Sequence, residues 1–261
     1  MHHVIIGAGP AGVTACDTLR KLDPGAEITL VGDEPEPPYS RMAIPYLLVD
    51  KIGEEGTYLR RDADHYDRRR IAVSRARVRS VDSAGQRLNL SDGAALDYDR
   101  LLIATGSSPI MPPIPGIESE GVLPCWTLED AREIAARASP GSRVVLLGAG
   151  FIGCIVLEAL AKRGVELTVV EPMDRMVPRM MNQTAGGLIK RWCEQRGVQV
   201  LTGTKAAEVQ SGVPLGVGLD DGRTIPADLV IRATGVRPNV GFLDGSGIDV
   251  DQGIVVTECL Q

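Results

Sequence analysis

The chain of 261 residues is long enough for one or two domains that each bury a core. It is 44% hydrophobic and 24% charged but only 3% aromatic, with a net charge of −6. That balance suits aliphatic strands covered on both faces and speaks against nucleic-acid binding, which draws on stacked aromatics and a basic field. Five scattered cysteines (Cys16, Cys125, Cys154, Cys193, Cys259) form no C-x-x-C pair and read as reduced thiols. The first apolar run starts within a few residues of Met1 and none is long enough to span a bilayer. The expectation is a cytoplasmic protein with no membrane or nucleic-acid partner and no metal site.

Val4-Ile5-Ile6 is a short strand-like run that breaks at Gly7-Ala8-Gly9-Pro10-Ala11-Gly12. A helical pattern follows, expected to face inward through Ala11, Ala15, Leu19 and Leu22. A second strand, Ile28 to Val31, then closes at Gly32-Asp33-Glu34. Strand, G-x-G-x-x-G, helix, strand and acid stand in the order of a dinucleotide fingerprint. The first glycine permits the tight turn, the second lets a pyrophosphate approach the backbone, and the third lets helix and strand pack. The diphosphate then faces the unpaired N–H groups at the positive end of the helix.

Residues 61–70 read as a polar helix whose basic end, Asp67-Arg68-Arg69-Arg70, is solvated. Residues 71–97 alternate apolar and polar, with turns at Ser83-Ala84-Gly85 and Ser91-Asp92-Gly93, and predict an antiparallel meander. Leu101-Leu102-Ile103 then runs into Ala104-Thr105-Gly106. The proline-rich stretch from Pro109 to Gly116 cannot be regular structure and reads as a crossover between domains.

The plan then repeats. Val144 to Leu147 leads into Gly148-Ala149-Gly150-Phe151-Ile152-Gly153, and the helix that follows is expected to turn Ile152, Val156, Ala159 and Leu160 inward. Leu167 to Val170 ends at Glu171, Val198 to Ile225 repeats the meander with a turn at Asp220-Asp221-Gly222, and Leu229 to Ile231 runs through Arg232 into Ala233-Thr234-Gly235. One glycine turn is weak evidence; two, each with its acid and its closing A-T-G, are far stronger. The fold class predicted is α/β: two tandem Rossmann-like dinucleotide-binding domains, each a parallel sheet with a small antiparallel meander.

Together these residues resemble the FAD-dependent pyridine nucleotide-disulfide oxidoreductase superfamily over essentially the whole chain. Pro38-Tyr39-Ser40-Arg41 resembles a segment of NADH-dependent ferredoxin and rubredoxin reductases and of the flavin part of nitrite reductases. The resemblance implies an FAD domain begun by residues 1–110, an inserted NAD domain over 111–236, and a return to the FAD domain at 237–261. FAD would be bound through Gly7, Gly9, Pro10, Ala11, Gly12, Arg41, the backbone of Val78, and Ala104, Thr105 and Gly106; either Asp33 or Glu34 would face the ribose. NADH would be bound through Gly148, Gly150, Phe151, Ile152, Gly153, Glu171, Ala233, Thr234 and Gly235. A carboxylate at Glu171 would favour NADH over NADPH. A like charge at about 4 Å and an effective dielectric near 20 costs roughly 4 kcal/mol before screening.

Three departures from the family pattern narrow the chemistry. Met42 stands where several relatives carry a redox cysteine, and a thioether forms neither a mixed disulfide nor a sulfenic acid. Tyr46 and Ile155 stand where the resemblance implies a lysine–glutamate pair beside the flavin; losing both leaves no stranded charge. The chain also stops at Gln261, before the Gly-Asp strand and interface domain that the resemblance implies. The expectation is therefore a C-terminally truncated, inactive fragment of an NADH:acceptor oxidoreductase. The acceptor is a protein or small molecule, the full-length protein is open to oligomerisation, and no residue is assigned as acid, base or nucleophile. A nucleotide-binding redox sensor or assembly module without turnover is the alternative. A flavin-free NAD dehydrogenase fits poorly, because no His, Lys or Ser constellation marks a substrate domain.

Overall fold

The computed structural model describes residues 1–261. The chain divides into two compact units, Met1–Ser40 with Glu54–Ser108 and Arg237–Gln261, and Arg41–Gly53 with Pro109–Val236.

The first unit opens with β1 (His2–Ile6), α1 (Pro10–Leu22) and β2 (Glu27–Gly32). The short helix α2 (Ile44–Leu48) follows in the segment that belongs to the second unit. The chain then forms α3 (His65–Arg68), β3 (Ile71–Arg75), the antiparallel meander β4 (Val78–Asp82), β5 (Arg87–Leu90) and β6 (Ala95–Asp97), and β7 (Arg100–Ile103). The parallel sheet runs β3-β2-β1-β7. Side chains of β1 alternate, as a strand buried on both faces requires. Ile5 packs with Val13 and Cys16 of α1, while Val4 and Ile6 pack with Val81, Leu88 and Leu90 of the meander.

A ribbon strand β8 (Ser107–Pro109) precedes the second unit. There β9 (Val122–Pro124), α4 (Leu128–Arg137), β10 (Arg143–Leu147), α5 (Phe151–Lys162), β11 (Glu166–Glu171), α6 (Gln183–Glu194) and β12 (Gln199–Thr202) follow in order. A second meander, β13 (Ala206–Gln210), β14 (Leu215–Leu219) and β15 (Thr224–Ala227), leads into β16 (Leu229–Arg232) and then β17 (Val236–Pro238), which pairs with β8. This sheet has five parallel strands, ordered β12-β11-β10-β16-β9. Val145, Leu147 and Val230 meet Val209, Leu215 and Val217 of the meander in one core.

Several sequence expectations give way. Residues 61–70 contain only the four-residue α3, because the stretch has no apolar stripe to bury. Ile71–Arg75 and Gln199–Thr202 alternate like meander strands yet pair in parallel as edges of the main sheets. The inward face of α1 is Gly12, Val13, Cys16 and Arg20; of the expected stripe Leu19 packs on that core, Ala15 is half-buried, and Ala11 and Leu22 are exposed. Close packing of Gly12 on the first turn rotates the helix away from the Ala11–Leu22 stripe. In α5 the expected Val156, Ala159 and Leu160 are buried, with Gly153 and Leu157, while Ile152 is only partly so. The uninterrupted first domain over 1–110 also differs from the contacts, which give Arg41–Gly53 to the second unit because α2 packs on α4 and α5.

Candidate nucleotide-binding sites

Each unit ends its central strand in the same turn. The N–H of Gly7 donates to Val31 O at 2.8 Å and that of Gly148 to Val170 O at 2.8 Å. Gly7 and Gly148 lie at φ +112° and +100°, where a side chain is strained. An added Cβ would also come within 2.1 Å of Ala104 O at Gly7 and 2.5 Å of Ala233 O at Gly148. The closing A-T-G turns therefore sit against the first glycine of each loop. Gly12 and Gly153 are as tight, with Gly7 O and Gly148 O at 1.9 and 2.2 Å from an added Cβ.

The middle glycines differ in kind. Gly9 and Gly150 have ordinary extended backbone (φ −81° and −73°), and nothing lies within 4 Å of an added Cβ. Of the three glycines in each loop, only the middle one faces open space. Gly9 and Gly150 are the N-caps of α1 and α5, and neither helix has a side-chain cap or an acid in its first turn. By contrast α4 carries a full capping box, Thr127 with Asp130, and α6 is capped by Asn182. Two helix N-termini with unpaired N–H groups, each behind an open glycine, fit a diphosphate in each unit.

The remaining candidates are distributed as follows. Pro10, Ala11, Phe151 and Ile152 form the first turns of α1 and α5, with Ala11 and Phe151 exposed. Asp33 is exposed, 3.8 Å from Arg77 Nε, whereas the Glu34 carboxylate accepts a hydrogen bond from the Tyr39 hydroxyl. Glu171 is buried, its Oε2 accepting from Ala149 N–H at 2.7 Å and its Oε1 from Met173 N–H at 2.9 Å. It ties the glycine loop to the loop after β11. The strand register places Gly32, not Asp33 or Glu34, at the position of Glu171. Val78 is buried in the meander core and leaves only its backbone for a ligand.

The A-T-G turns also anchor the connecting segments. Thr105 Oγ1 donates to Asn239 O at 2.8 Å and Asn239 Nδ2 returns a bond to Thr105 O at 2.9 Å. Thr234 Oγ1 donates to Ile110 O at 3.3 Å, and Ile110 N–H to Gly235 O at 2.9 Å. Gly106 and Gly235 both have positive φ. Arg41 lies with the second unit, its guanidinium 5.1 Å above the Trp126 ring. Met42 and Tyr46 are exposed; Tyr46 is on α2 and Ile155 on α5, two helices that pack together.

Sequence reasoning missed three things. The capping box Thr127–Asp130 would have revealed α4, since T-x-x-D before an apolar run is a helix-start signal. Strand β9 is only three residues long and carried no signal. The clamp made by Arg163 is tertiary: it donates to Ala135 O, Ala138 O and Leu48 O, binding α4 and α2 to the end of α5.

The family model for pyridine nucleotide-disulphide oxidoreductases matches residues 1–261. The chain belongs to this family. It is an oxidoreductase family that binds FAD and NADH. Rhodocoxin reductase of Rhodococcus erythropolis is 36% identical over 264 residues, an alignment covering 100% of this chain and 62% of that protein. The NADH-dependent phenylglyoxylate dehydrogenase subunit epsilon of Aromatoleum evansii is 32% identical, covering 99% of this chain and 62% of its own length. Among solved structures, a chain of the covalent putidaredoxin reductase–putidaredoxin complex superposes with a TM-score of 0.95 at 31% identity, covering 100% of this chain and 64% of that one. The chain thus spans less than two thirds of the relatives it matches. No helix is long and apolar enough to cross a membrane.

Proposed function

We propose that the chain forms the nucleotide-binding part of an FAD-dependent NADH:acceptor oxidoreductase, with FAD held by the first unit and NADH by the second. The observation that carries this reading is the pair of open middle glycines, Gly9 and Gly150, each ahead of an uncapped helix. When bound, the flavin supplies the hydride-to-electron chemistry, accepting a hydride from NADH and passing electrons on. The chain's own residues bind and align. Gly7–Gly12 and the α1 N-terminus hold one diphosphate, and Gly148–Gly153 with the α5 N-terminus hold the other. Glu34 is the better placed ribose acceptor of the first unit, because Tyr39 fixes its carboxylate. Arg41, the Val78 backbone and Ala104–Gly106 complete that assignment, and Ala233–Gly235 the second. Glu171 holds the second loop and excludes a 2′-phosphate by its charge. The inserted domain covers Pro109–Val236 with Arg41–Gly53.

The acceptor in this reading is a ferredoxin-type protein, on the strength of relatives named as reductases of such partners. The test is titration calorimetry followed by anaerobic mixing. The expected result is one FAD site, one NADH site at least tenfold tighter for NADH than for NADPH, and bleaching of bound flavin by NADH. Protein saturated with FAD that binds NADH without bleaching would replace this reading with that of a nucleotide sensor.

A further inference from the structure

The chain as a whole is acidic, at −6, yet the stretch from Arg175 to Arg196 holds five bases against one acid, Glu194. Most of that stretch is α6, which packs against β12 and turns Gly186 and Cys193 to the core. At 3.6 residues per turn the opposite face carries Thr184, Leu188, Arg191, Trp192 and Gln195, and all five are exposed. Leu188 is 54% and Trp192 49% exposed. Met181, the residue before the Asn182 cap, adds a further exposed apolar side chain at the N-terminal end.

The charges on this face are not used within the protein. The Arg196 guanidinium lies 3.7 Å from the centroid of the Trp192 ring, and its Nη1 donates to Trp192 O at 3.2 Å. Neither Arg191 nor Arg196 pairs with a carboxylate, and Glu194 points to Lys190, 3.9 Å from its Nζ. Arginines elsewhere on the surface are neutralised: Arg68 by Asp62 at 2.7 Å, Arg87 by Asp97 and Arg223 by Asp221, both at 2.6 Å. The chain has only two tryptophans, and it leaves this one half exposed. Tryptophan, methionine and arginine together are the composition of an interface centre, where a few such side chains carry most of the binding energy.

We infer that the outward face of α6 docks an acidic protein partner, whose carboxylates meet Arg191 and Arg196 while an apolar hollow takes Leu188 and Trp192. The inference does not depend on which nucleotide either unit binds. Charge complementarity selects the occupant. Guanidinium and carboxylate match as paired hydrogen bonds, and a positive patch on an acidic molecule steers an acidic partner to that one place. Nucleic acids and anionic bilayers are extended polyanions that the surrounding acidic surface repels, and one indole is a poor stacking platform. A second copy carries the same net charge and is repelled as a whole.

The test uses three probes: a synthetic amphipathic peptide of glutamate and leucine, its twin with lysine for every glutamate, and phosphatidylglycerol vesicles. Peptide binding is read by fluorescence anisotropy and vesicle binding by cosedimentation. The proteins are the parent, Trp192→Ala and the double variant Arg191→Glu with Arg196→Glu. The acidic peptide should bind the parent, and both added salt and either variant should weaken it at least about tenfold. The lysine peptide should prefer the double variant, and thermal midpoints should stay at the parent value, as a purely structural role would not allow. If W192A fails to fold, Leu188→Ala takes its place beside the charge reversal. No binding of the acidic peptide, unaltered affinity in the folded variants, or a lysine peptide that prefers the parent overturns the inference. So does tighter binding to vesicles that the same variants abolish, which would assign the face to a membrane. Sedimentation that rises with concentration in the parent but not in the double variant would assign it to a second copy and likewise overturn it.

Discussion

Gly12 and Gly9 are neighbours in one motif but answer to different constraints. A methyl on Gly12 or Gly153 meets a backbone carbonyl at about 2 Å. Gly12→Ala or Gly153→Ala should therefore cost about 1–3 kcal/mol through forced backbone movement, seen as a fall of several degrees in the thermal midpoint. At Gly9→Val and Gly150→Val the added Cβ meets nothing, and the backbone angles admit a side chain. These should leave the midpoint of the ligand-free protein almost unchanged. Gly9→Val should weaken FAD binding and Gly150→Val NADH binding, each at least tenfold, about 1.4 kcal/mol. Calorimetry on the four variants checks this, and the double dissociation is the required outcome. That outcome would show fold and ligand sharing a six-residue motif without sharing its glycines. The motif was plain in the sequence; which glycine served which purpose was not, because the crowding appears only once the turn is folded, with Gly12 and Gly153 against Gly7 O and Gly148 O, and Gly7 and Gly148 against Ala104 O and Ala233 O from far along the chain.

Among the helices, those expected to meet phosphate are the ones whose N-termini the protein leaves bare. Phe151, the exposed first residue of α5, is where this can be probed. Phe151→Asp should stabilise the ligand-free protein by roughly 0.3–1 kcal/mol through the helix dipole while weakening NADH, since the carboxylate competes with the diphosphate. A variant that is stabilised yet binds NADH as before would mean the α5 N-terminus is not the phosphate site. At the other end of the element scale, α3 has too few turns to stand alone, and its neighbourhood is tethered to α1 by Asp17. Arg60 Nε donates to Asp17 Oδ2 at 2.8 Å, and His65 Nε2 lies 2.9 Å from Oδ1. Burial pushes the Asp17 carboxyl upward, but the bonds from Arg60 and His65 outweigh it and hold the group below the ordinary aspartate range. A carboxyl lowered in the folded state adds stability that is complete above its unfolded value, near pH 4, and is lost as pH falls through the folded one. Thermal midpoints from pH 6 down to 3 should therefore decline more steeply for the parent than for Asp17→Asn.

Across the molecule, the two units repeat one plan with unequal completeness. The central strands, glycine turns, meanders and A-T-G closures correspond, but β16 is flanked by β9 whereas β7 has no partner on its outer side. An unpaired strand edge is a site for further pairing. If each unit takes its own nucleotide, hydrogen exchange will separate them. FAD should slow exchange in Gly7–Gly12 and Ala104–Gly106, and NADH in Gly148–Gly153 and Ala233–Gly235. Protection of both loops by either nucleotide alone would contradict one nucleotide per unit.

The sequence alone determined the repeat, the strand–turn–helix order of each half and the residues of both glycine loops. All of these are local, set by strand period, turn chemistry and the absence of a side chain at fixed offsets. Tertiary structure decided what depended on distant partners. It set which face of α1 turns inward, made Ile71–Arg75 and Gln199–Thr202 parallel edges, placed Arg41–Gly53 with the second unit, and buried Glu171 between two backbone N–H groups. It also stood Trp192 on the outer face of α6 beside two arginines that meet no acid. The physical reason is common to all five. Alternating polarity tells a strand that it has two faces, but only the packed neighbours, brought together from far along the chain, settle what each face meets.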